Sequence, residues 1–258
     1  MTEYIIICLV AMIGSCLTLF SGFGLGTLLV PVFALFFPID LSIALTAIVH
    51  FLNNVFKLIL FGRHADKAII IRFGLPSILA AFIGAYLLTF IGGLEPIFQY
   101  ELFGKMISIM PIKVTIAIVL LFFALFEIIP KLSQLQFDKK YLPLGGFLSG
   151  FFGGLSGNQG ALRSAFLIRT KLSKETFIAT GVVIACLIDV SRLVIYSGQI
   201  LKVGDGLNKS LIIAATLAAF VGAYFGSKLF EKVTIITIQK IVAFMLIIFS
   251  CLLGFGII

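Results

Sequence analysis

Residues 21–26 read Ser21-Gly-Phe-Gly-Leu-Gly26 and residues 153–160 read Gly153-Gly-Leu-Ser-Gly-Asn-Gln-Gly160, each inside an apolar run, 4–37 and 142–169 respectively. Both runs exceed the about 20 residues that one membrane-spanning helix requires. A glycine-rich break in an apolar helix frees backbone N–H and C=O groups, and these are tolerated only where they face protein or a cavity. A single break reads as a kink between packed helices. The same break in two places along one chain points to function.

The surrounding composition fixes the environment. Of 258 residues, 61% are apolar and 12% charged, with a mean hydropathy of +1.22; average soluble domains carry about 25% charged residues. So few charges cannot clothe a water-soluble globule of this size, which excludes a soluble enzyme, a nucleic-acid binder and a disordered chain. Six further segments are long and apolar enough to span: 41–62, 68–91, 112–130, 173–198, 208–230 and 236–258. The sequence therefore predicts an all-α polytopic membrane protein. Trp is absent, so Tyr and Phe must supply the interfacial belt. Cys8, Cys16, Cys186 and Cys251 sit in apolar runs without metal-type or redox spacing and read as small packing residues. The start, Met-Thr-Glu-Tyr, lacks the basic region of a signal peptide, so the first segment is expected to stay in the mature protein.

The chain also repeats itself. Leu79-Ala-Ala-Phe-Ile-Gly-Ala-Tyr-Leu87 returns as Leu217-Ala-Ala-Phe-Val-Gly-Ala-Tyr-Phe225, seven of nine positions identical. At nearly the same offset Thr46 matches Thr180, Gly62 matches Gly198 and Gly26 matches Gly160. The expected organisation is repeat 1 over 1–130, a cytoplasmic linker over 131–141 and repeat 2 over 142–258. Small residues four apart, Ala80/Gly84 and Gly222/Gly226, read as faces for close helix packing.

Counting Lys and Arg selects a topology. Lys57, Arg163 and Arg192 lie within apolar segments; if all eight segments cross once, the other sixteen divide eight to eight. If the two broken segments are instead re-entrant, one side holds Arg63, Lys67, Arg72, Lys131, Lys139, Lys140, Arg169, Lys171, Lys174, Lys228, Lys232 and Lys240, and the other only Lys105, Lys113, Lys202 and Lys209. The second arrangement carries the positive-inside bias and the first has none. It places both termini on the non-cytoplasmic side. With three crossings per half, the second repeat is inverted relative to the first, an architecture of transporters with broken helices at the midplane.

Ionisable groups inside spans are costly and mark function by default. On 41–62, Thr46, His50, Asn53, Asn54 and Lys57 share one helical face; on 173–198, Asp189, Arg192 and Tyr196 do likewise. An offset of 135 pairs Asn54 with Asp189 and Lys57 with Arg192. Lys57, Arg163 and Arg192 against the single Asp189 leave an interior excess of positive charge, which a small anion would offset. Half-helices beginning after the breaks, from Thr27 and Ala161, would aim free N–H groups and positive dipole ends at mid-membrane. The expected substrate-binding set is Lys57, Arg163, Arg192, Asn53, Asn54, Ser156, Asn158, Gln159, Ser21 and Thr27, with Gly22, Gly24, Gly26, Gly157 and Gly160 as backbone tips. His50 and Asp189 are candidates for proton coupling. The structural alternatives are an Arg192–Asp189 ion pair, Lys57 reaching Asp189 across the repeats, Arg163 snorkelling to the interface, and a hydrogen-bonded structural His50.

Gly22-Phe-Gly-Leu-Gly-Thr-Leu-Leu-Val-Pro31 resembles the Gly-rich stretch ending in Val-Pro of the TauE/SafE sulfite exporter family, also called the toluene-sulfonate uptake permease family. Repeat 2 keeps the glycines in Ser156-Gly-Asn-Gln-Gly-Ala-Leu-Arg163 but carries Ala165 where the pattern has Pro. The resemblance implies a carrier of sulfite, sulfonates or related organosulfur anions in the bacterial inner membrane. The expected function is export of a sulfur oxyanion through a midplane site, with one half rocking against the other and no cofactor or metal. A channel-like anion permease, a proton-coupled uptake carrier and a non-transporting membrane subunit are the alternatives. No His-Glu-x-x-His pair or positioned Ser/His or Asp dyad occurs, so catalysis is not expected. The partners expected are the anion and the lipid bilayer, with no nucleic acid; oligomeric state is not legible.

Overall fold

A computed structural model describes residues 1–21, 24–203, 208–228 and 235–258. Gly22 and the side chain of Ser21, both expected at the first tip, lie outside the described residues.

Among the described residues, each of the two segments expected as repeats holds five principal helices. Repeat 1 forms α1 (Thr2–Ser21), α2 (Leu25–Ala34), α3 (Ile39–Phe61), α4 (Lys67–Gly92) and α5 (Pro111–Ile128). Repeat 2 forms α6 (Leu142–Ser156), α7 (Gly160–Leu167), α8 (Lys174–Val203), α9 (Lys209–Lys228) and α10 (Ile235–Gly254). Local chemistry sets several of these ends. Pro111 and Pro143 sit in first turns, where a missing N–H costs nothing. In α4 a π turn over Ile70–Gly74 precedes Pro76, whose absent N–H leaves the Arg72 carbonyl without its usual donor. Among the described residues, five helices are long and apolar enough to cross a membrane: Ile39–His64, Lys67–Gly92, Pro111–Ile128, Lys174–Gly198 and Lys209–Lys228. The sixth expected span is α10, an apolar helix whose side chains are described from Lys240 onward.

One element was not anticipated. Between α4 and α5, β1 (Phe98–Leu102) and β2 (Lys105–Ile109) pair antiparallel, closing at Leu102 opposite Lys105. The turn residues Phe103 and Gly104 both have left-handed φ, 51° and 74°, the sign a two-residue hairpin turn needs to match strand twist. Tyr100 Oη donates to the Phe255 carbonyl at 2.7 Å, seating the hairpin on the end of α10.

Both broken segments double back. The Phe166 ring near the end of α7 lies against Gly145 near the start of α6, where a Cβ would meet it at 2.4 Å. In repeat 1, Leu25 and Leu28 of α2 pack on Gly14, and Phe33 shares an apolar cluster with Ile7 and Ala11. Each pair is thus a helical hairpin.

The hairpins exchange partners between halves. α1 packs along α9 and α6 along α4, while α3 crosses α8 and α5 packs on α10; exchanging the repeats maps this set of pairings onto itself. The repeated Gly-Ala-Tyr segment is the seat for the opposite hairpin. A Cβ on Gly84 would lie 2.1 Å from the Phe151 carbonyl of α6, and one on its equivalent Gly222 2.0 Å from the Met12 carbonyl of α1. On α6 the glycines continue the seam: Gly146, Gly150 and Gly154 face the carbonyls of Phe73, Ser77 and Ala81 at 2.1–2.2 Å from their missing Cβ positions. Backbone meets backbone there, as small-residue interfaces between apolar helices allow.

Candidate functional site

Where the two hairpin tips converge, backbone touches backbone. The Gly157 carbonyl lies 3.1 Å from the place a Cβ on Gly26 would take and 3.9 Å from that on Gly24. Gly157 ends α6 with φ +80°, its N–H donating to the Gly153 carbonyl at 3.0 Å. A side chain there would be strained and would also meet Arg192 Nη1 at 2.8 Å.

Asp189 organises the crossing of α3 and α8. Its Oδ1 accepts from Arg192 Nε at 3.0 Å, lies 2.8 Å from Arg192 Nη2, and accepts from Gln159 Nε2 at 3.4 Å. Its Oδ2 is 2.7 Å from His50 Nδ1 and accepts from Asn54 Nδ2 at 3.1 Å. Asp189 and Arg192 are both 0% exposed, so this ion pair is fully withdrawn from water. The Arg192–Asp189 pair expected as the structural alternative is therefore formed. Asp189 turns to His50 and not to Lys57. Tyr196, one turn beyond Arg192, donates from its hydroxyl to the Gly154 carbonyl, fixing α8 against the second hairpin.

Beside this centre lies a pocket of about 40 Å³ lined by Lys57, Arg163, His50, Asn54, Thr18, Ser164 and Gly24, with Leu25, Phe177, Ile178, Gly181 and Val182. A water needs about 10–15 Å³ on this measure, so the space suits one small polyatomic ion. Lys57 is buried. Turning the Asn53 amide so that both its ends are satisfied brings its oxygen 3.2 Å from Lys57 Nζ and its nitrogen 3.2 Å from the Ala219 carbonyl. Arg163 is partly buried, and its Nη1 is enclosed without a hydrogen-bond partner. Gly181 makes room for it, since a Cβ there would sit 3.3 Å from Arg163 Nε. No carboxylate lines the pocket among the described residues. Two cations therefore face one cavity with no opposite charge, an expensive arrangement unless an anion occupies it.

The expected residues thus separate into groups. Lys57, Arg163, His50, Asn54 and Gly24 line the pocket, and Asn53 stands behind Lys57. Arg192, Asp189 and Gln159 form the adjoining centre. Ser156 accepts from Asn158 N and Nδ2 and donates to the Phe152 carbonyl, so this pair holds the turn. The Asn158 Oδ1 and Gln159 Oε1 atoms are buried without partners. Thr27 is buried in the first turn of α2, and Gly160 opens α7. The sequence reading did not single out Thr18, Ser164 or Gly181. One signal was available for Gly181: it follows Thr180, whereas Ala47 follows the matching Thr46.

Residues 7–253 match the family model described as Sulfite exporter TauE/SafE. The chain belongs to the TauE/SafE sulfite exporter family. No curated protein and no solved structure shows significant similarity to it. The match spans both repeats and all the helices that build the pocket. As a TauE/SafE protein the chain is a multi-pass membrane transporter, of a family whose substrates are sulfite- and sulfonate-type anions. The described part of the Gly-rich stretch, Gly24 onward, caps and opens α2.

Proposed function

We propose that this protein exports a small sulfur oxyanion, sulfite foremost, from a site between Lys57 and Arg163 in the bacterial inner membrane. The observation that carries this reading is the pocket itself: two cations, one with an enclosed unpartnered N–H, face a small cavity that no carboxylate among the described residues lines. Asn54 and the hydroxyls of Thr18 and Ser164 are at hand for the oxyanion's remaining lone pairs. The small volume favours an inorganic oxyanion over an arylsulfonate.

The topology proposed is the inverted one, with both hairpins re-entrant and both termini outside. The pocket is walled by Phe177 and Ile178 near the start of α8 and by Lys57 near the end of α3, close in sequence to Arg63, Lys67, Arg169 and Lys171. By the positive-inside bias this is the cytoplasmic side. An inside-negative potential favours anion exit by about 2.3 kcal/mol per net negative charge moved per 100 mV, so the potential itself can drive export.

The exchanged hairpins refine how access would alternate. Rocking of one intact half against the other would tear the backbone-tight seams of α1 with α9 and α6 with α4. The moving bodies are instead each hairpin with the helix of the opposite repeat that seats it. Counterflow in proteoliposomes across sulfite, thiosulfate, sulfate, sulfoacetate and chloride tests the substrate. Saturable sulfite exchange with trans-stimulation is expected. Failure of every sulfur oxyanion to move overturns the reading, and non-saturating flux without trans-stimulation replaces the carrier with a channel.

A further inference from the structure

We propose that His50 is a ligand of the transported anion and binds it only as imidazolium, so that each anion enters the site together with a proton. This rests on the pocket between Lys57 and Arg163 being the anion site.

Geometry assigns separate tasks to the two ring nitrogens. Nδ1 lies 2.7 Å from Asp189 Oδ2. A carboxylate paired with Arg192 is an acceptor only, so Nδ1 carries the hydrogen. In the neutral ring Nε2 then holds a lone pair. This nitrogen is turned toward Gly24, where a Cβ would stand 3.5 Å away; Asn54 Nδ2, which donates to Asp189 Oδ2, lies 3.4 Å from it and 3.1 Å from Nδ1, and His50 lines the same pocket as Lys57 and Arg163. A lone pair facing an oxyanion repels it; an N–H there donates to it. Protonation at Nε2 converts His50 from an obstacle into a third donor while leaving the Asp189 bond in place.

The charges around the ring make the two events interdependent. Asp189 and Arg192 face His50 from α8, Lys57 from its own helix, and Arg163 from α7 across the pocket. The thiols of Cys16 on α1 and Cys186 on α8 lie within electrostatic range of Lys57. α2 brings Gly24 and no titratable side chain, and the buried faces of α4 and α9 carry only small, apolar or hydroxyl residues. A proton on Nε2 of the empty site adds to the charges of Lys57, Arg163 and Arg192 against one carboxylate. An arriving anion removes that repulsion, and the proton in turn strengthens the anion's binding, as linkage requires. The proton comes from the aqueous phase on the side where the anion enters, forms the Nε2–H bond, and returns to water on the side where the anion leaves. A dianion would then cross with one negative charge cancelled.

The test uses purified full-length protein in detergent, carrying His64→Gln so that His50 is the remaining histidine; His64 is exposed and does not line the pocket. Sulfite binding is followed from pH 6 to 9 by calorimetry in buffers of different ionisation enthalpy, with fully ionised thiosulfate as a second probe. About one proton taken up per thiosulfate is expected, with affinity falling roughly tenfold per pH unit on the alkaline limb. In His50→Gln that uptake disappears for thiosulfate, and for sulfite falls by one. Nitrogen-15 labelling of histidine supplies an independent readout if His50→Gln does not fold: anion should move Nε2 from the unprotonated to the protonated range. Uptake of no proton by the parent protein, equal uptake by His50→Gln, or an unmoved Nε2 signal overturns the proposal. If neither anion binds the parent protein, the site itself has been misplaced and the inference falls with it.

Discussion

Gly150→Ala is a one-methyl change whose consequence can be worked from the seam between α6 and α4. The added Cβ would lie 2.2 Å from the Ser77 carbonyl oxygen and 2.6 Å from Ser77 Cα, where ordinary contact begins at 3.4 Å. All the opposing atoms are backbone, so no rotamer change relieves the clash and the helices must part by about 1.2 Å. Overpacking of this kind costs about 1–3 kcal/mol, the upper end applying where nothing can yield. Alanine returns up to about 1 kcal/mol of helix propensity, which leaves a net loss near 2 kcal/mol. At about 2–4 °C per kcal/mol for a chain of this size, Tm should fall by about 4–8 °C. Gly198→Ala in α8 is the matched control: nothing described lies within 4 Å of its Cβ position, so the propensity gain alone remains and Tm should hold or rise slightly. A thiol-reactive dye on detergent-purified protein reads both, since unfolding uncovers buried Cys186. Gly150→Ala melting with or above the parent, or Gly198→Ala falling as far, would refute the claim that the second hairpin is seated by backbone contact.

Asp189→Asn removes the one carboxylate at the centre and leaves Arg192 buried and unpaired, so a loss of about 3–5 kcal/mol in thermal stability is expected. Replacing both, as Asp189→Leu with Arg192→Met, should recover most of it; a double variant less stable than the single one would contradict this. A reporter active only in the periplasm, fused after Ile258, should be active, and one inserted between Lys139 and Lys140 silent. The reverse pattern would overturn the inverted topology.

What could be read from the sequence follows a physical division. Equivalence was legible: Leu79–Leu87 and Leu217–Phe225 are alike because both must admit a helix backbone, and small residues declare that need. Which backbone each admits was not legible, because likeness says nothing of contact, and the exchange of hairpins between halves emerges only in three dimensions. The polar stripe His50, Asn53, Asn54, Lys57 was visible from helical spacing. The choice of Asp189 for Arg192 and His50 over Lys57 depends on how α3 crosses α8. Arg163 follows the second break in sequence, and it reaches the Lys57 pocket because α7 folds back along α6. The β1–β2 hairpin escaped because Phe103-Gly104 replaces the Asn-Gly or Asp-Gly that signals such a turn.

The anion site is tested most directly by sulfite uptake into the counterflow cycle of Lys57→Gln and Arg163→Gln, beside Lys105→Gln, whose side chain is exposed on the β2 strand. Hydrogen bonds to charged groups contribute about 1.5–3 kcal/mol, which at 1.4 kcal/mol per decade corresponds to about a 10- to 100-fold loss of apparent affinity for each pocket variant. That loss is expected in both, with Lys105→Gln matching the parent protein. Lys57→Gln and Arg163→Gln exchanging sulfite at the parent's affinity and rate would contradict the assignment of the pocket.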